Sequence, residues 1–151
     1  MNGTNGLVGD PAISEAYEEV RSDKTETNWL LLEFAPTKPD RLIVAGTGTG
    51  GLKELVTKLR DDQAAFGYVR MNFANDEYSQ RVKFVLINWC GQSVGVMRKA
   101  KLSIQTSEVK HVLRSFHIEV PASHAEDLDE KDIMLHLKRC AGANYDAQQN
   151  H

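Results

Sequence analysis

The chain has 151 residues, 41% of them hydrophobic and 26% charged, and a net charge of −3. That length suits one domain with one ordinary core, and the composition is that of a globular chain. No apolar run approaches the roughly 18 residues of a membrane span, and a mildly acidic balance argues against wholesale binding of nucleic-acid phosphates, so neither a membrane nor a nucleic acid is expected as a partner.

The first residues, MNGTNGLVGDP, lack the basic segment and apolar block of a secretory signal. Cys90 and Cys140 lie far apart and form no Cys-x-x-Cys. Reduced thiols in a cytoplasmic protein, without zinc, are the expectation.

Residues 1–9 read as a flexible N-terminal segment, 10–142 as a single domain and 143–151 as a flexible C-terminal tail. Asp10-Pro11 has the form of an N-cap and first helical position, followed by Ile13, Ala16, Tyr17 and Val20 at i, i+3, i+4 and i+7. This helix should end near Asp23. Trp29–Phe34 is apolar at nearly every position, as in a strand covered on both faces. Pro36 and Pro39 mark a turn into a short strand, 41–45, expected to pair antiparallel with it. After the glycine-rich GTGTGG of 46–51, Leu52, Leu55, Val56 and Leu59 predict a helix. Strands are expected at 66–73 and, beyond a polar loop at 74–80, at 81–89, whose aromatic and β-branched residues suit a central strand.

The stretch from Ser93 to Phe116 concentrates positive charge. Arg98, Lys99, Lys101, Lys110 and Arg114 stand against one acid, Glu108, so it carries +4 and the remainder about −7. Val109, Val112, Leu113 and Phe116 predict a helix face laid on the core. A short strand, 118–120, precedes Pro121. Ser123-x-x-Glu126 then has the form of a capping box for a last helix, with Lys138 and Arg139 in its final turn and Gly142 as its stop. The order helix, strand, strand, helix, strand, strand, helix, short strand, helix predicts an α+β fold, a mixed sheet sandwiched between helices.

Gly46, Gly48 and Gly51 satisfy G-x-G-x-x-G, and Asp76 lies roughly where a ribose-binding acid would be sought. The preceding strand is expected to be antiparallel, however, and no second nucleotide-binding half follows. A plain turn is therefore the favoured reading, with a small nucleotide-binding enzyme as the alternative of another class. His111, His117, His124, His136 and His151 show no metal-ligand spacing and no catalytic constellation. No catalytic residue, metal or cofactor is assigned. Lys83 is unusual because it interrupts an otherwise apolar strand, where its stem could pack while its ammonium reaches water.

Three phrases carry a resemblance to a known family: RVKFVLINW with its following Gly91, RKAK with VK ten residues later, and AGANYDAQ from Ala141 to Gln148. Over the span 10–148 the chain resembles the coactosin group of the actin-depolymerising factor homology family, whose gelsolin/cofilin-like fold matches the expected order of elements. The resemblance implies actin binding rather than catalysis. In this family the long helix docks on actin, and filament binding adds a second surface. By match of position, the implied contacts are Arg98, Lys99 and Lys101 on the helix, Lys83 with Arg81 on the strand, and Lys138 with Arg139 on the last helix. Lys99-Ala100-Lys101-Leu102 replaces the Tyr-Ala-Ser-Ser phrase of cofilins, and no serine follows Met1. The expected partner is thus filamentous actin, with weaker contact to monomeric actin, in a monomeric, cytoskeletal protein without strong severing or depolymerisation. Cofilin-like monomer binding and disassembly is the alternative within the family.

Overall fold

The computed structural model describes residues 6–76 and 79–149, with the backbone alone for 73–76, 79–80 and 141–149. Its elements are α1 (Pro11–Arg21), β1 (Trp29–Phe34), β2 (Leu42–Gly48), α2 (Gly51–Val56), β3 (Ala64–Asp76), β4 (Ser79–Cys90), α3 (Val96–Val112), β5 (Ile118–Ala122), a 3-10 turn (Ala125–Leu128) and α4 (Glu130–Gln149). The strands form one sheet in the order β2-β1-β3-β4-β5. All neighbours are antiparallel except β4 and β5, which run parallel. A parallel pair needs a long crossover, and α3 supplies it.

Alternation along the strands divides the core into two layers. Leu30, Leu32, Phe66, Tyr68, Phe84 and Leu86 point to α1 and α3, where they meet Ile13, Tyr17, Val20, Val109 and Leu113. Trp29, Leu31, Val69, Val85, Ile87 and Trp89 point to the other face and are covered by Leu52 and Leu55 of α2, Leu128 of the turn, and Ile133 and Leu137 of α4. Covering both faces is why Trp29 to Leu32 are all buried, and why β1 reads as an unbroken apolar run.

Local chemistry sets the element ends. Asp10 Oδ1 accepts from Ala12 N at 3.0 Å to open α1. At its other end the Arg70 guanidinium donates to the carbonyls of Val20 and Thr25, each at 3.0 Å, and to that of Ser22, placing a cation where helix carbonyls lack partners. Of the segment expected to be flexible at 1–9, Leu7 is buried and its carbonyl accepts from Leu42 N at 2.9 Å. Residues 1–5 lie outside the described residues.

Several boundaries differ from the sequence reading. β2 continues through Gly46 and Gly48, which pair with Leu31 and Trp29. The first half of the glycine-rich segment is therefore strand, and the segment forms no strand-to-helix phosphate-binding loop. Its composition has a packing cause: Trp29 Nε1 donates to Glu54 Oε1 at 2.7 Å across Gly48, where a Cβ would fall 2.6 Å from that nitrogen. Gly51, at φ +71, takes a left-handed conformation that favours glycine, while its N–H donates to Asn28 Oδ1 at 2.8 Å. The expected loop at 74–80 is instead strand to Asp76 and again from Ser79, with 77 and 78 outside the described residues. The capping box falls one residue later than expected, pairing His124 with Asp127 around the 3-10 turn. Helix α4 passes through Gly142 to Gln149, so Lys138 and Arg139 sit in mid-helix. A helical glycine costs only about 1 kcal/mol, which flanking alanines at 141 and 143 can offset. Residues 150 and 151 lie outside the described residues. Among the described residues, no helix is long and apolar enough to cross a membrane.

Candidate functional site

Helix α3 is an unusual core helix because much of its apolar surface faces solvent. Leu102, Gln105, Val109 and Leu113 follow one another at helical spacing on the protein side. The out-of-phase positions carry Val96, Met97 and Ile104, with Met97 76% and Ile104 69% exposed. Ala100 lies between them on the same ridge, and exposed Lys99 and Lys101 border it. The ridge is thus an exposed apolar strip with a cation on either side.

Arg98 belongs to the inward side. Its Nη1 donates to Asp40 Oδ2 at 2.7 Å, its guanidinium carbon lies 3.8 Å from the Phe34 ring centre, and the side chain is 29% exposed. Asp40 also accepts from Gln105 Nε2 at 2.9 Å and lies 3.9 Å from Lys101 Nζ. The Gln105 amide, with Arg98 and Lys101 beside it, holds the Asp40 carboxyl below its ordinary range. Asp40 thus joins the β1–β2 connection to the start of α3, and Arg98 acts as a strut. Lys110 is also held, by Glu119 of β5.

Arg81 and Lys83 project from β4 on the same side as Val85 and Ile87, hence on the α4 face and opposite α3. Lys83 is half-buried across from Met71, and Arg81 is exposed. Met71 and Leu137 belong to the same buried cluster, so Lys138 and Arg139 follow on a helix that covers the sheet face from which Lys83 projects. The two residues diverge there. Lys138 borders a groove against α2, while Arg139 lines a shallow hollow with Asp132, His136 and Cys140. The seven positions singled out in the sequence therefore fall into three settings: an exposed pair on α3, an internal strut, and four cations on the elements of the other sheet face, two on β4 and two that diverge on α4.

Beside Lys83, His117 extends the β4–β5 pairing with its side chain. His117 N donates to Phe84 O at 2.8 Å, and Phe84 N donates to His117 Nδ1 at 2.9 Å. Burial and the Lys83 charge both push the His117 pKa down. The ridge residues, Asp40 and His117 were not singled out by sequence reasoning. Only the ridge left a signal there, since extending the Val109 and Leu113 stripe backward puts Met97 and Ile104 on the outside.

Residues 6–138 match the family model for cofilin/tropomyosin-type actin-binding proteins. The coactosin of Dictyostelium discoideum is 33% identical over 144 residues, covering 95% of this chain and 97% of that one. The crystal structure of coactosin from Entamoeba histolytica superposes with a TM-score of 0.80 at 34% identity, over 85% of this chain and 93% of that one. The solution structure of mouse coactosin, described as an actin filament binding protein, superposes at 0.73 with 30% identity, over 93% and 96% of the two chains. With its mixed sheet between two helical layers and its outward-facing α3 ridge, the chain belongs to the cofilin/tropomyosin-type family of actin-binding proteins, in the coactosin group.

Proposed function

We propose that this protein binds filamentous actin through two surfaces on opposite faces of its sheet, and does so without promoting disassembly. The observation that carries the reading is the α3 ridge of Val96, Met97 and Ile104 between Lys99 and Lys101, an apolar patch left open on an otherwise ordinary core helix. Desolvated apolar contacts supply retained affinity, while the flanking lysines steer encounter with an acidic surface. The second surface comprises Arg81, Lys83, Lys138 and Arg139. Two surfaces facing apart suit a partner that presents two subunits at once, which a filament does and a monomer does not. Mouse coactosin's description as an actin filament binding protein supports the same reading.

Arg98 serves here by positioning α3 rather than by touching the partner. The protein acts as a monomer, by binding rather than catalysis, and resides with the cytoskeleton in the cytoplasm. Monomeric actin, meeting one surface at a time, is held more weakly. The replacement of the cofilin helix-start phrase by Lys99-Ala100-Lys101-Leu102 favours binding over disassembly.

Co-sedimentation with filamentous actin across a salt series tests the proposal. Pelleting should be strong at low salt and fall toward physiological ionic strength, where exposed charges are screened beyond about 8 Å. Absence of pelleting by folded protein at low salt overturns it. In a pyrene-actin dilution assay, the filaments should shorten no faster with the protein than without it.

A further inference from the structure

On the sheet face away from α3, helix α2, the 3-10 turn and α4 border a groove of about 770 Å³, within the range of roughly 300 to 1,000 Å³ common to ligand sites. Its apolar lining includes Leu52, Val56, Leu128 and Met134, and on its lip Leu135 is 53% exposed. Among the described residues, Leu135 is the one large apolar side chain of α4 left so open. Of the positions proposed to face the filament, Lys138 lines this groove, while the α3 ridge, Arg81, Lys83 and Arg139 do not.

The charges around it are ordered. Lys131, Met134, Leu135 and Lys138 follow at i, i+3, i+4 and i+7, so two lysines bracket two apolar side chains along about 10.5 Å of helix. Lys53 of α2 adds a third cation to the lining. None of these lysines forms an ion pair among the described residues. The acids Glu126, Asp129 and Glu130 gather instead where α4 begins.

We infer that this groove receives an acidic amphipathic helix of a partner protein. Its apolar side chains rest on Val56, Met134 and Leu135, and two carboxylates, two helical turns apart, lie over Lys131 and Lys138. The charge pattern identifies the occupant, because cations spaced by two turns with apolar residues between them complement the face of another helix. The acids at the other end attract the positive N-terminal end of that helix, so the partner runs parallel to α4. The groove shares Lys138 with the second filament surface proposed above, so the test varies Lys131 and Leu135, which that surface does not include.

The probe is a fluorescein-labelled helical peptide with two glutamates seven residues apart and leucines at the third and fourth positions after the first glutamate. Anisotropy titration with the full chain should give a dissociation constant in the micromolar range. Leu135→Asp should weaken it at least tenfold while circular dichroism stays unchanged. Lys131→Glu should also weaken it, and should gain affinity for a peptide whose glutamates are replaced by lysines. Filament pelleting of Leu135→Asp should remain at the wild-type level, so either function can fail without the other. No saturation at about millimolar protein, or equal binding by folded Leu135→Asp, overturns the inference. So does loss of filament pelleting in Leu135→Asp, which would make the groove part of the filament surface. Binding of phosphatidylserine vesicles through Lys131 and Leu135 without peptide binding overturns it in favour of a lipid site.

Discussion

Arg98 and Asp40 meet at 2.7 Å although 58 positions separate them in the chain, and the same guanidinium lies over Phe34. The contact ties the loop after β1 to the first turn of α3. Arg98→Ala should destabilise the fold by about 1 to 3 kcal/mol in urea denaturation, since it leaves a part-buried carboxylate short of a partner and removes the stacking contact. Lys99→Ala, at an exposed position, should change stability by no more than about 0.5 kcal/mol. The carboxyl's depressed folded pKa means its stabilisation is present above the unfolded value of 3.8 and is lost as pH falls through the folded one. Asp40→Asn should therefore show a smaller stability loss than wild type on going from pH 5 to pH 2.

On the open ridge the prediction reverses. Met97→Ser combined with Ile104→Ser removes side chains that are 76% and 69% exposed, so the melting temperature should hold within a few degrees. Filament affinity should drop at least tenfold, because apolar residues at an interface centre carry most of the retained energy. Unchanged co-sedimentation would assign the ridge no part in binding.

Lys83 lies on β4 across from Met71, beyond the fully buried part of the strand. Lys83→Ala should reduce pelleting several-fold at low salt with little change in thermal stability. A stability loss above about 2 kcal/mol would instead identify the lysine stem as core packing.

His117 supplies a pH dependence of its own. Its Nδ1 must be unprotonated to accept from Phe84 N, and burial and Lys83 both oppose its protonation. With the folded pKa below the unfolded 6.5, its stabilisation is complete above about pH 6.5 and is lost as pH falls through the folded value. Besides Lys83 from β4, the ring faces the uncharged Phe84, which it stacks upon at 6.1 Å between centres. His117→Asn, whose side-chain oxygen can still accept a hydrogen bond, should flatten the decline in urea stability between pH 7.5 and pH 5. Identical slopes in the two proteins would remove His117 as the cause.

Sequence periodicity identified β1 to its end residues, because Trp29 to Leu32 are buried without interruption and a fully covered strand needs no alternation. It also recovered the inward phase of α3 at Val109 and Leu113. It misplaced the ends of β2 and α4 for opposite reasons. Gly46 and Gly48 have little strand propensity, yet pairing with β1 and the space needed by Trp29 decide their state. Gly142 resembles a stop, yet a single glycine is too weak a break to end α4 there. The family resemblance grouped Arg98 with Lys99 and Lys101, since a charge in sequence carries no direction. Only the distant Asp40 turns one of the three inward.

The β4–α3–β5 crossover carries the chain from Lys83 on one side of the sheet to Met97 on the other within a single supersecondary unit. In the filament reading this makes binding bivalent. Once either side is seated, the other is held near its target at a high effective concentration, so two individually weak contacts multiply rather than add. A lattice with the matching subunit spacing would gain that enhancement in full, whereas a free subunit offering one contact would gain none. Selectivity for the assembled polymer would then come from the thickness and stiffness of one sheet rather than from the strength of any single contact.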